Sequence, residues 1–330
     1  MVFTFFFVIY QGVNITADMS PDILSITYTD NEDGQADDIS IRIKDETKKW
    51  MGDWSPELGD KFSVKLMPLN QMELNCGLVE VDEISASGPP TVFDIKGCSV
   101  PIKSEIRRVL KNHSWEKITL NDIAKQMASN AGLELLYSVA ENPYYERSDQ
   151  NEESDLSFLH KLAEDEGYSV KVTDSQLVIF DQYDFEQKDP IGTYTAGDSL
   201  IKSFSFNKQS HDLYKSCTCR YHIPKHRKLI QYTYTDPDID EGINLKIRKR
   251  VANVNEAKRK ARAALRQKNK HQCTGSLSLV GNTALQAGAT INIAGFGKYD
   301  GKYIITKSVH SHSTSGYTTG IDIRRVIKGY

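Results

Sequence analysis

The stretch SGPPTVFDIK at residues 87–96 aligns without gaps to SGYTTGIDIR at residues 315–324. The two stretches share a serine, a glycine, a threonine, an aspartate and an isoleucine. The first three shared types are Ser87, Gly88 and Thr91 in the first stretch and Ser315, Gly316 and Thr319 in the second. Chance similarity is an alternative, because strand-and-turn patterns recur by propensity alone. We interpret the two stretches as parts of a duplicated β-structure.

The sequence before each stretch repeats the same context. In both places a glycine precedes an alternating strand, and a second glycine precedes another strand. These glycines are Gly59 and Gly77 in the first copy and Gly288 and Gly301 in the second. Glycine at a corner permits the positive φ or sharp bend that closing a small barrel demands. We therefore predict two related β-barrel domains.

Hydrophobic periodicity assigns the domains. Alternating apolar residues, typical of strands with one buried face, dominate residues 1–104, where we place the first β-barrel domain. Residues 105–198 change to a helical pattern and predict a small α+β insertion domain. Residues 199–330 return to strands and predict the second β-barrel domain, interrupted by one basic helix at about residues 255–270. The predicted fold class is α+β, mainly β.

The insertion has clear helix boundaries. Thr119 and Ser154 are typical N-caps, and Gly132 and Gly167 can close the two helices in the left-handed conformation. A strand follows each helix. After the second helix, two alternating segments around Asp174 indicate a tight hairpin.

Composition is that of an ordinary globular chain. Charged residues make up 26% and the formal net charge is −3, so we expect no specific nucleic-acid binding. The apolar residues 2–10 have no Lys or Arg before them and are about half as long as a spanning helix. They predict a buried strand and no membrane segment. Five cysteines without a regular framework indicate folding in a reducing cytoplasm.

Charge is distributed unevenly along the chain. Residues 246–270 contain eleven Lys or Arg and one acidic residue, whereas residues 141–198 contain fifteen Asp or Glu and four Lys or Arg. Two solvated faces are one interpretation. The other is a contact in which the basic helix of one subunit meets an acidic surface of its neighbour. The possible interface residues on that helix are Lys258, Arg259, Arg262 and Arg266.

One cluster has residue types that bind metals. Cys217, Cys219, His222 and His226 lie close in sequence, but the two-residue spacing of a zinc knuckle is absent. Strand packing is the favoured interpretation, and metal binding stays open. We expect no cofactor, because the chain has neither a phosphate-binding glycine loop nor a dinucleotide fingerprint.

Other chemical candidates have simpler structural interpretations. His310 and His312 share one face of a predicted strand without a nucleophile motif. Glu164 and Glu166 could suggest glycoside hydrolysis, which uses two carboxylates across a cleft. Their place at a helix end favours a solvated surface. No catalytic residue is predicted.

Two segments resemble the phage late control protein D family, the baseplate hub proteins of contractile tails. The first is SDLSFLHKLAEDEG at residues 154–167. The second runs from Gly288 through Gly295-Phe296-Gly297, Asp300-Gly301-Lys302-Tyr303 and His310 to Arg324. The first hundred residues match only in general pattern, although the order of elements agrees along nearly the whole chain.

The resemblance implies a non-enzymatic, homotrimeric hub that joins a hexameric tail tube to a trimeric spike. A trimer of a chain with two similar barrels presents six of them in a pseudo-sixfold ring, which could dock onto a hexamer. Tape-measure and baseplate wedge proteins are further possible partners. The expected location is the baseplate of a virion or tail particle assembled in the bacterial cytoplasm. Because the last predicted strand ends close to Tyr330, we expect spike and hydrolase on other chains.

Alternatives remain at this point. The same fold would serve in a non-contractile tail, a bacteriocin or a type VI secretion spike. A tail-associated cell-wall hydrolase is an alternative of another class. A carbohydrate-binding module would be favoured if Trp50, Trp54 or Trp115 lined an exposed groove.

Overall fold

A computed structural model describes residues 3–99, 105–173, 175–223 and 228–328. The predicted features at Val2, Asp174, His226, Tyr330 and the boundary at residue 104 lie outside these ranges. The strands are β1 Thr4–Tyr10, β2 Val13–Asn14, β3 Ile23–Asn31, β4 Asp38–Lys44, β5 Lys61–Pro68, β6 Leu74–Ser87, β7 Val92–Cys98, β8 Lys111–Thr119, β9 Glu134–Ser138, β10 Tyr144–Glu153, β11 Ser169–Val172, β12 Gln176–Phe180, β13 Thr193–Thr195, β14 Ile201–Lys208, β15 Tyr214–Ile223, β16 Lys228–Thr235, β17 Ile243–Ile247, β18 Cys273–Val280, β19 Thr290–Ala294, β20 Gly301–Ser313 and β21 Gly316–Arg325. The helices are α1 Thr16–Met19, α2 Glu105–Arg108, α3 Leu120–Asn130, α4 Asp155–Glu166, α5 Gln182–Gln187 and α6 Val254–Asn269, with a 3-10 turn at Gly297–Tyr299.

Thirteen strands form one main sheet. Its hydrogen-bonded path is β14-β18-β21-β20-β3-β4-β7-β6-β5-β1-β2, and β19 pairs with both β13 and β20. The alternation predicted from sequence is confirmed, because Ile39, Ile41 and Ile43 on β4 are at most 1% exposed. These side chains lie in the apolar core of the first half of the sheet. Leu277 and Ile321 belong to a second core under the other half.

The main sheet contains the same strand order twice. The first half reads β3-β4-β7-β6-β5-β1 and the second reads β14-β18-β21-β20-β19-β13. The strands at corresponding positions also follow one another along the chain in the same sequence, so β1 corresponds to β13, β3 to β14, β4 to β18, and β5–β7 to β19–β21. One pairing differs, because β1 runs antiparallel to β5 whereas β13 runs parallel to β19.

The prediction of two closed barrels is wrong for the described residues, in which the halves form one continuous sheet. Closure of the first half would require β3 to pair with β1 or β2 at the opposite end of that half. Instead β3 pairs antiparallel with β20 of the second half over seven residue pairs. Backbone groups on the outer strand of a sheet need partners, and each half supplies them to the other at this junction.

The insertion after β7 is an α+β unit with the predicted helix boundaries. The Thr119 hydroxyl accepts a hydrogen bond from the amide of Asp122 at the start of α3, and Ser154 caps α4 through the amide of Ser157. Gly167 ends α4 with φ +91°, as predicted. The strands β11 and β12 form the predicted hairpin. The predicted boundary at residue 198 lies too late, because β13 already pairs with β19 of the main sheet.

A second inserted segment, which contains β15, β16, β17 and α6, lies between β14 and β18 in the chain. The strands β16-β15-β17 form their own three-stranded sheet, against which α6 packs. Helix α6 lies close to its predicted position, and its Ala257 and Ala261 are fully buried. Residues 199–330 are therefore not a single barrel domain. The alternation of β15–β17 resembles that of main-sheet strands, so periodicity alone did not separate them.

The first strand differs from its prediction in burial. Residues 4–10 form β1 as expected, and Val8 is 1% exposed. Its other face carries Phe5 and Phe7, which are 66% and 38% exposed. In the part of the chain that the structure describes, no helix has both the length and the apolar character needed to cross a bilayer.

Candidate functional site: the repeated sheet and its junctions

The corner glycines have matching backbone contacts in the two halves. The amide of Gly59 donates to the carbonyl of Val81 at 2.9 Å, and the amide of Gly288 donates to the carbonyl of Ile305 at 2.8 Å. In return, the amides of Val81 and Ile305 donate to the residues after those glycines, Asp60 and Ala289, at 2.8 and 2.9 Å. Both glycines have positive φ, +93° and +83°, a conformation that strongly favours glycine.

The β-bulges also recur at corresponding places. The β6–β7 pairing shifts between Val81 and Glu83, and the β20–β21 pairing shifts between Ile305 and Lys307. The β3–β4 and β14–β18 pairings shift at corresponding places too, after Ile23 and Ile201. With these bulges superposed, Gly77 corresponds to Gly301, and the registers of β3–β4, β4–β7 and β6–β7 agree with those of β14–β18, β18–β21 and β20–β21.

The structural correspondence is offset by two residues from the ungapped sequence alignment. Ile95 pairs with Ile41 as Ile321 pairs with Leu277, so the counterpart of Ile95 is Ile321 and not Ile323. Ser87 ends β6 and Gly88 and Thr91 lie in the following turn, whereas Ser315 lies in the turn before Gly316 and Thr319 is fully buried inside β21. The cause is the longer β20–β21 hairpin, whose strands continue past the point where β6 and β7 turn.

His310 lies at the centre of the junction between β3 and β20. It pairs with Tyr28 across the two strands, and the two rings stack with centroids 6.2 Å apart. Its Nδ1 lies 2.7 Å from the Tyr317 hydroxyl and its Nε2 lies 3.1 Å from Ser308 Oγ. The side chain is fully buried, and this burial lowers its pKa from 6.5 to about 4. The structural role favoured for His310 from sequence agrees with these contacts.

We expect replacement of His310 by Gln to reduce the acid sensitivity of folding. The folded-state pKa lies below the unfolded value, so the unfolded state binds the proton more readily between about pH 6.5 and pH 4. The stability that neutral His310 supports is complete above that range and is lost as the pH falls. Between about pH 7 and pH 4.5 wild type should lose about 2 kcal/mol more than His310→Gln, measured by urea unfolding at each pH.

The control for this measurement is His222→Gln, because His222 is exposed on β15. That variant should follow the wild-type pH dependence. Equal acid sensitivity of wild type and His310→Gln would contradict the assignment of a buried neutral imidazole.

A buried charge cluster connects four parts of the chain. Arg324 on β21 donates to Glu186 and Gln182 on α5, and its Nη2 lies 3.7 Å from Glu32 Oε1 after β3. Arg266 on α6 donates to Glu186 Oε1 at 2.8 Å. All five side chains are at most 7% exposed. The cluster therefore links both halves of the main sheet to α5 and α6.

A second buried cluster attaches the insertion to the first half of the sheet. Lys171 Nζ on β11 lies 2.8 Å from Asp30 Oδ1 and 3.2 Å from Asp37 Oδ2. Asp30 Oδ2 also accepts a hydrogen bond from the amide of Ala287 in the second half, at 2.8 Å. Burial raises the pKa of Asp37 to about 6, against the opposing effect of Lys171.

The basic helix α6 makes its acidic contacts within the same chain. Arg259 donates to Glu166 on α4 and lies 3.2 Å from Glu141, and Arg266 is buried against Glu186. The acidic side chains that Arg259 and Arg266 meet thus belong to their own insertion, and the part of these two residues in an intersubunit contact stays a prediction. Lys258 and Arg262 are exposed, and their part in an interface stays a prediction.

Of the two glutamates at the end of α4, Glu164 is exposed, as expected for a solvated surface, whereas Glu166 is not. Glu166 is buried, with Arg259 and Lys260 within 3.3 and 3.6 Å, and Glu164 accepts a hydrogen bond from Gln267 of α6. Burial raises the pKa of Glu166, opposed by these two cations. Both carboxylates thus hold α4 against α6.

The cysteines of the possible metal cluster pack in a core. Cys217 and Cys219 are fully buried under α6, whereas His222 on the same strand is exposed and His226 lies outside the described residues. Among residues that the structure describes, no group of three or more His, Cys, Asp or Glu side chains could hold a metal ion.

The tryptophans pack chiefly as core residues. Trp50 is 3% exposed and donates through Nε1 to Asp22, and Trp115 is 7% exposed beside His113. Trp54 is 44% exposed and, with Trp50, lines an apolar cavity of about 300 Å³ in the first half. A sugar site needs several polar groups beside its aromatic rings, and this lining is mainly apolar.

Sequence reasoning missed two kinds of functional residue. The first is the buried ions such as Arg324, whose signal is a strand buried on both faces near its end. The second is the exposed strand β14, on which Phe204 is 57% exposed although it continues the inner face of the sheet. The sequence signal for β14 is an apolar residue, Phe204, between two polar residues, Ser203 and Ser205.

Comparison with known proteins places the chain in a family. The profile of the phage tail baseplate hub (GPD) family matches residues 106–316, more than half of the chain. The probable baseplate hub protein of Escherichia phage 186 is 28% identical over 179 residues, covering 52% of this chain and 44% of that protein. That of Escherichia phage P2 is 31% identical over 172 residues, covering 50% and 42%. The chain thus matches less than half the length of these relatives.

Solved structures share the fold over nearly the whole chain. The tail protein from Neisseria meningitidis MC58 superposes with a TM-score of 0.74 at 13% identity, covering 98% of this chain and 96% of that one. The fold and the profile match agree with the resemblance carried by residues 154–167 and 288–324. The chain belongs to the phage tail baseplate hub family.

Proposed function

We propose that three copies of this chain form a ring that joins the hexameric tube of a contractile tail to its trimeric spike. The observation that carries the proposal is the strand order that occurs twice in one chain. Three copies present six similar half-sheets around a threefold axis. One face of such a ring matches a hexamer, while the threefold repeat of the whole chain matches a trimer.

The buried charge clusters of this chain suit a subunit that transmits force. A subunit that transmits the firing force must not separate at the junctions of its parts. The Arg324 cluster connects both sheet halves to α5 and α6, and the Lys171 cluster connects the first half to the insertion. The ion-paired side chains in both clusters are at most 20% exposed. These buried ion pairs favour a rigid subunit, because a buried ion is destabilised when its partner moves away.

The proposed surroundings follow from this role. The partners are the tail tube and spike proteins, with the tape-measure and baseplate wedge proteins as further neighbours. The particle is assembled in the cytoplasm of the bacterial host, and the chain works without catalysis. The carboxylates considered for hydrolysis, Glu164 and Glu166, support this view because they are engaged with α6.

The oligomeric state tests the proposal. Native mass measurement of the purified chain should give three times the mass of one chain, with a symmetrical ring in electron micrographs. A strict monomer across the accessible concentration range, or a closed dimer, would refute the threefold ring. Incubation with peptidoglycan should release no fragments, and fragment release would favour the hydrolase alternative.

A further inference from the structure

The internal junction joins an outer strand of one half to an uncovered length of the other. Strand β3 is the outermost strand of the first half, and it pairs with residues 307–313 of β20. On the same edge of β20, residues 301–304 pair with β19. The first part of the long strand β20 thus pairs with β19 of its own half, and the second part pairs with β3 of the other half.

The counterparts of these two strands have free edges. Strand β14 corresponds to β3 and pairs with β18 on one side, and the described residues contain no strand on its other side. Strand β6 corresponds to β20, and β5 covers it only as far as Glu80. Within the described ranges, residues 83–87 of β6 pair with β7 alone.

Exposure distinguishes the free edges from the internal junction. Ile26 on β3 is fully buried because β20 lies beside it, whereas its counterpart Phe204 on β14 is 57% exposed. Ser85, Ala86 and Ser87 on β6 are also exposed. An uncovered strand edge with an apolar side chain is a template for pairing with another chain.

The charges of the two free edges are complementary. Residues 201–210 contain Lys202 and Lys208 and no acidic residue, whereas residues 80–87 contain Glu80, Asp82 and Glu83 and no basic residue. In the same chain Arg108 lies 3.9 Å from Asp82 and Lys61 lies 3.9 Å from Glu80, so the three acidic residues and these two cations leave one net negative charge on the segment. Opposite charge favours contact between these edges and disfavours pairing of each edge with itself.

We propose that β14 of one copy pairs antiparallel with residues 83–87 of β6 in the next copy, repeating the internal junction between β3 and β20. This inference rests on the proposed threefold ring. The matched bulges fix the register. Phe206 pairs with Ala86 as Tyr28 pairs with His310, and Ser205 pairs with Ser87 as Thr27 pairs with Ser311.

The contact has the symmetry that a ring needs. Each copy offers one β14 edge and one β6 edge, so the contact is head-to-tail and three copies close it. The ring then contains three internal junctions and three intersubunit junctions of the same kind. In this register Phe204 lies opposite Gly88, at the turn that ends β6, which is the position that corresponds to His312 opposite Ile26 in the internal junction.

A disulfide test reads the register directly. In the internal junction, Thr27 Oγ1 lies 3.5 Å from Ser311 Oγ, so the corresponding pair of positions can hold a disulfide. The double variant Ser87→Cys with Ser205→Cys should give covalent dimers and trimers on a non-reducing gel after mild oxidation. The five native cysteines are buried, so the single variants should stay uncrosslinked.

The control pair uses the opposite end of the sheet. Phe5→Cys with Ser205→Cys places a thiol on β1, where Phe5 is 66% exposed. This pair should not crosslink. Crosslinking of the Phe5 pair without crosslinking of the Ser87 pair would overturn the inference, because it would join β14 to β1.

A second variant pair avoids oxidation. Phe204→Asp should raise the dissociation constant of the trimer roughly tenfold or more, because it replaces an apolar side chain beside the contact by a carboxylate that approaches the acidic segment of β6. Phe5→Asp, at a similarly exposed phenylalanine, should leave the constant within about threefold of wild type. Sedimentation at a series of concentrations measures both. The reverse order of effects would overturn the inference.

The outcomes separate this inference from the proposed function. A wild-type trimer in which neither the Ser87 pair crosslinks nor Phe204→Asp weakens assembly overturns the strand pairing and leaves the hub ring standing. A wild-type chain that stays monomeric overturns both.

Discussion

Replacement of Arg324 by Met is expected to lower the free energy of unfolding by about 3–5 kcal/mol. Arg324 is 1% exposed and donates to Glu186 and Gln182, with Glu32 beside it. Methionine fills part of the volume but leaves two buried carboxylates with one cation fewer. An uncompensated buried charge costs far more than the ion pair contributes, because water cannot reach it. Urea unfolding followed by circular dichroism measures the loss.

The matched control is Arg42→Met in the same sheet. Arg42 on β4 lies 3.6 Å from Asp94, and its side chain is 53% exposed. Surface pairs contribute little, so this variant should lose less than about 1 kcal/mol. Similar losses for the two variants would show that Arg324 has no special part in joining the halves.

Replacement of Lys171 by Met is expected to cost about 3–5 kcal/mol at about pH 8. Asp30 and Asp37 are at most 7% exposed, and Lys171 lies between them. Without the ammonium group, the two carboxylates repel each other in a poorly hydrated site. The loss should separate the insertion from the sheet, because Lys171 belongs to β11 and the carboxylates belong to the β3–β4 region.

The sign of the pH dependence follows from Asp37. Its folded-state pKa, raised to about 6, lies above the unfolded value, so protonation in the folded state becomes favourable as the pH falls below 6. A protonated Asp37 no longer repels Asp30. The cost of Lys171→Met should therefore be smaller at about pH 5 than at about pH 8.

Lys161→Met provides the control in the same insertion. Lys161 lies 3.2 Å from Glu153, and its side chain is 60% exposed. This variant should lose less than about 1 kcal/mol at both pH values. A Lys171→Met cost that is independent of pH would contradict the assigned role of Asp37.

Local chemistry made much of the fold predictable. The alternation of Ile39, Ile41 and Ile43 predicted a strand with one buried face, and the caps Thr119 and Ser154 predicted where two helices begin. These signals depend on neighbours within a few residues. The corner glycines were equally informative, because Gly59 and Gly288 have the positive φ that only a few residue types tolerate.

Long-range pairing was not predictable in the same way. Nothing local to β3 distinguishes a partner in its own half from β20, nearly three hundred residues later. The two-residue offset between alignment and structure has a similar cause, because hairpin length depends on where both strands find partners. Arg324 and Glu186 meet across 138 residues, and a single sequence carries no record of such a pair.

The late partner of β3 has a consequence for synthesis on the ribosome. The chain emerges from its amino end, so the outer edge of β3 stays bare until residues 307–313 have been translated. Nascent strands with unsatisfied backbone groups are prone to misassociate at the high local concentration of a polysome. The first half of the main sheet therefore completes its pairing only after residues 307–313 have been translated.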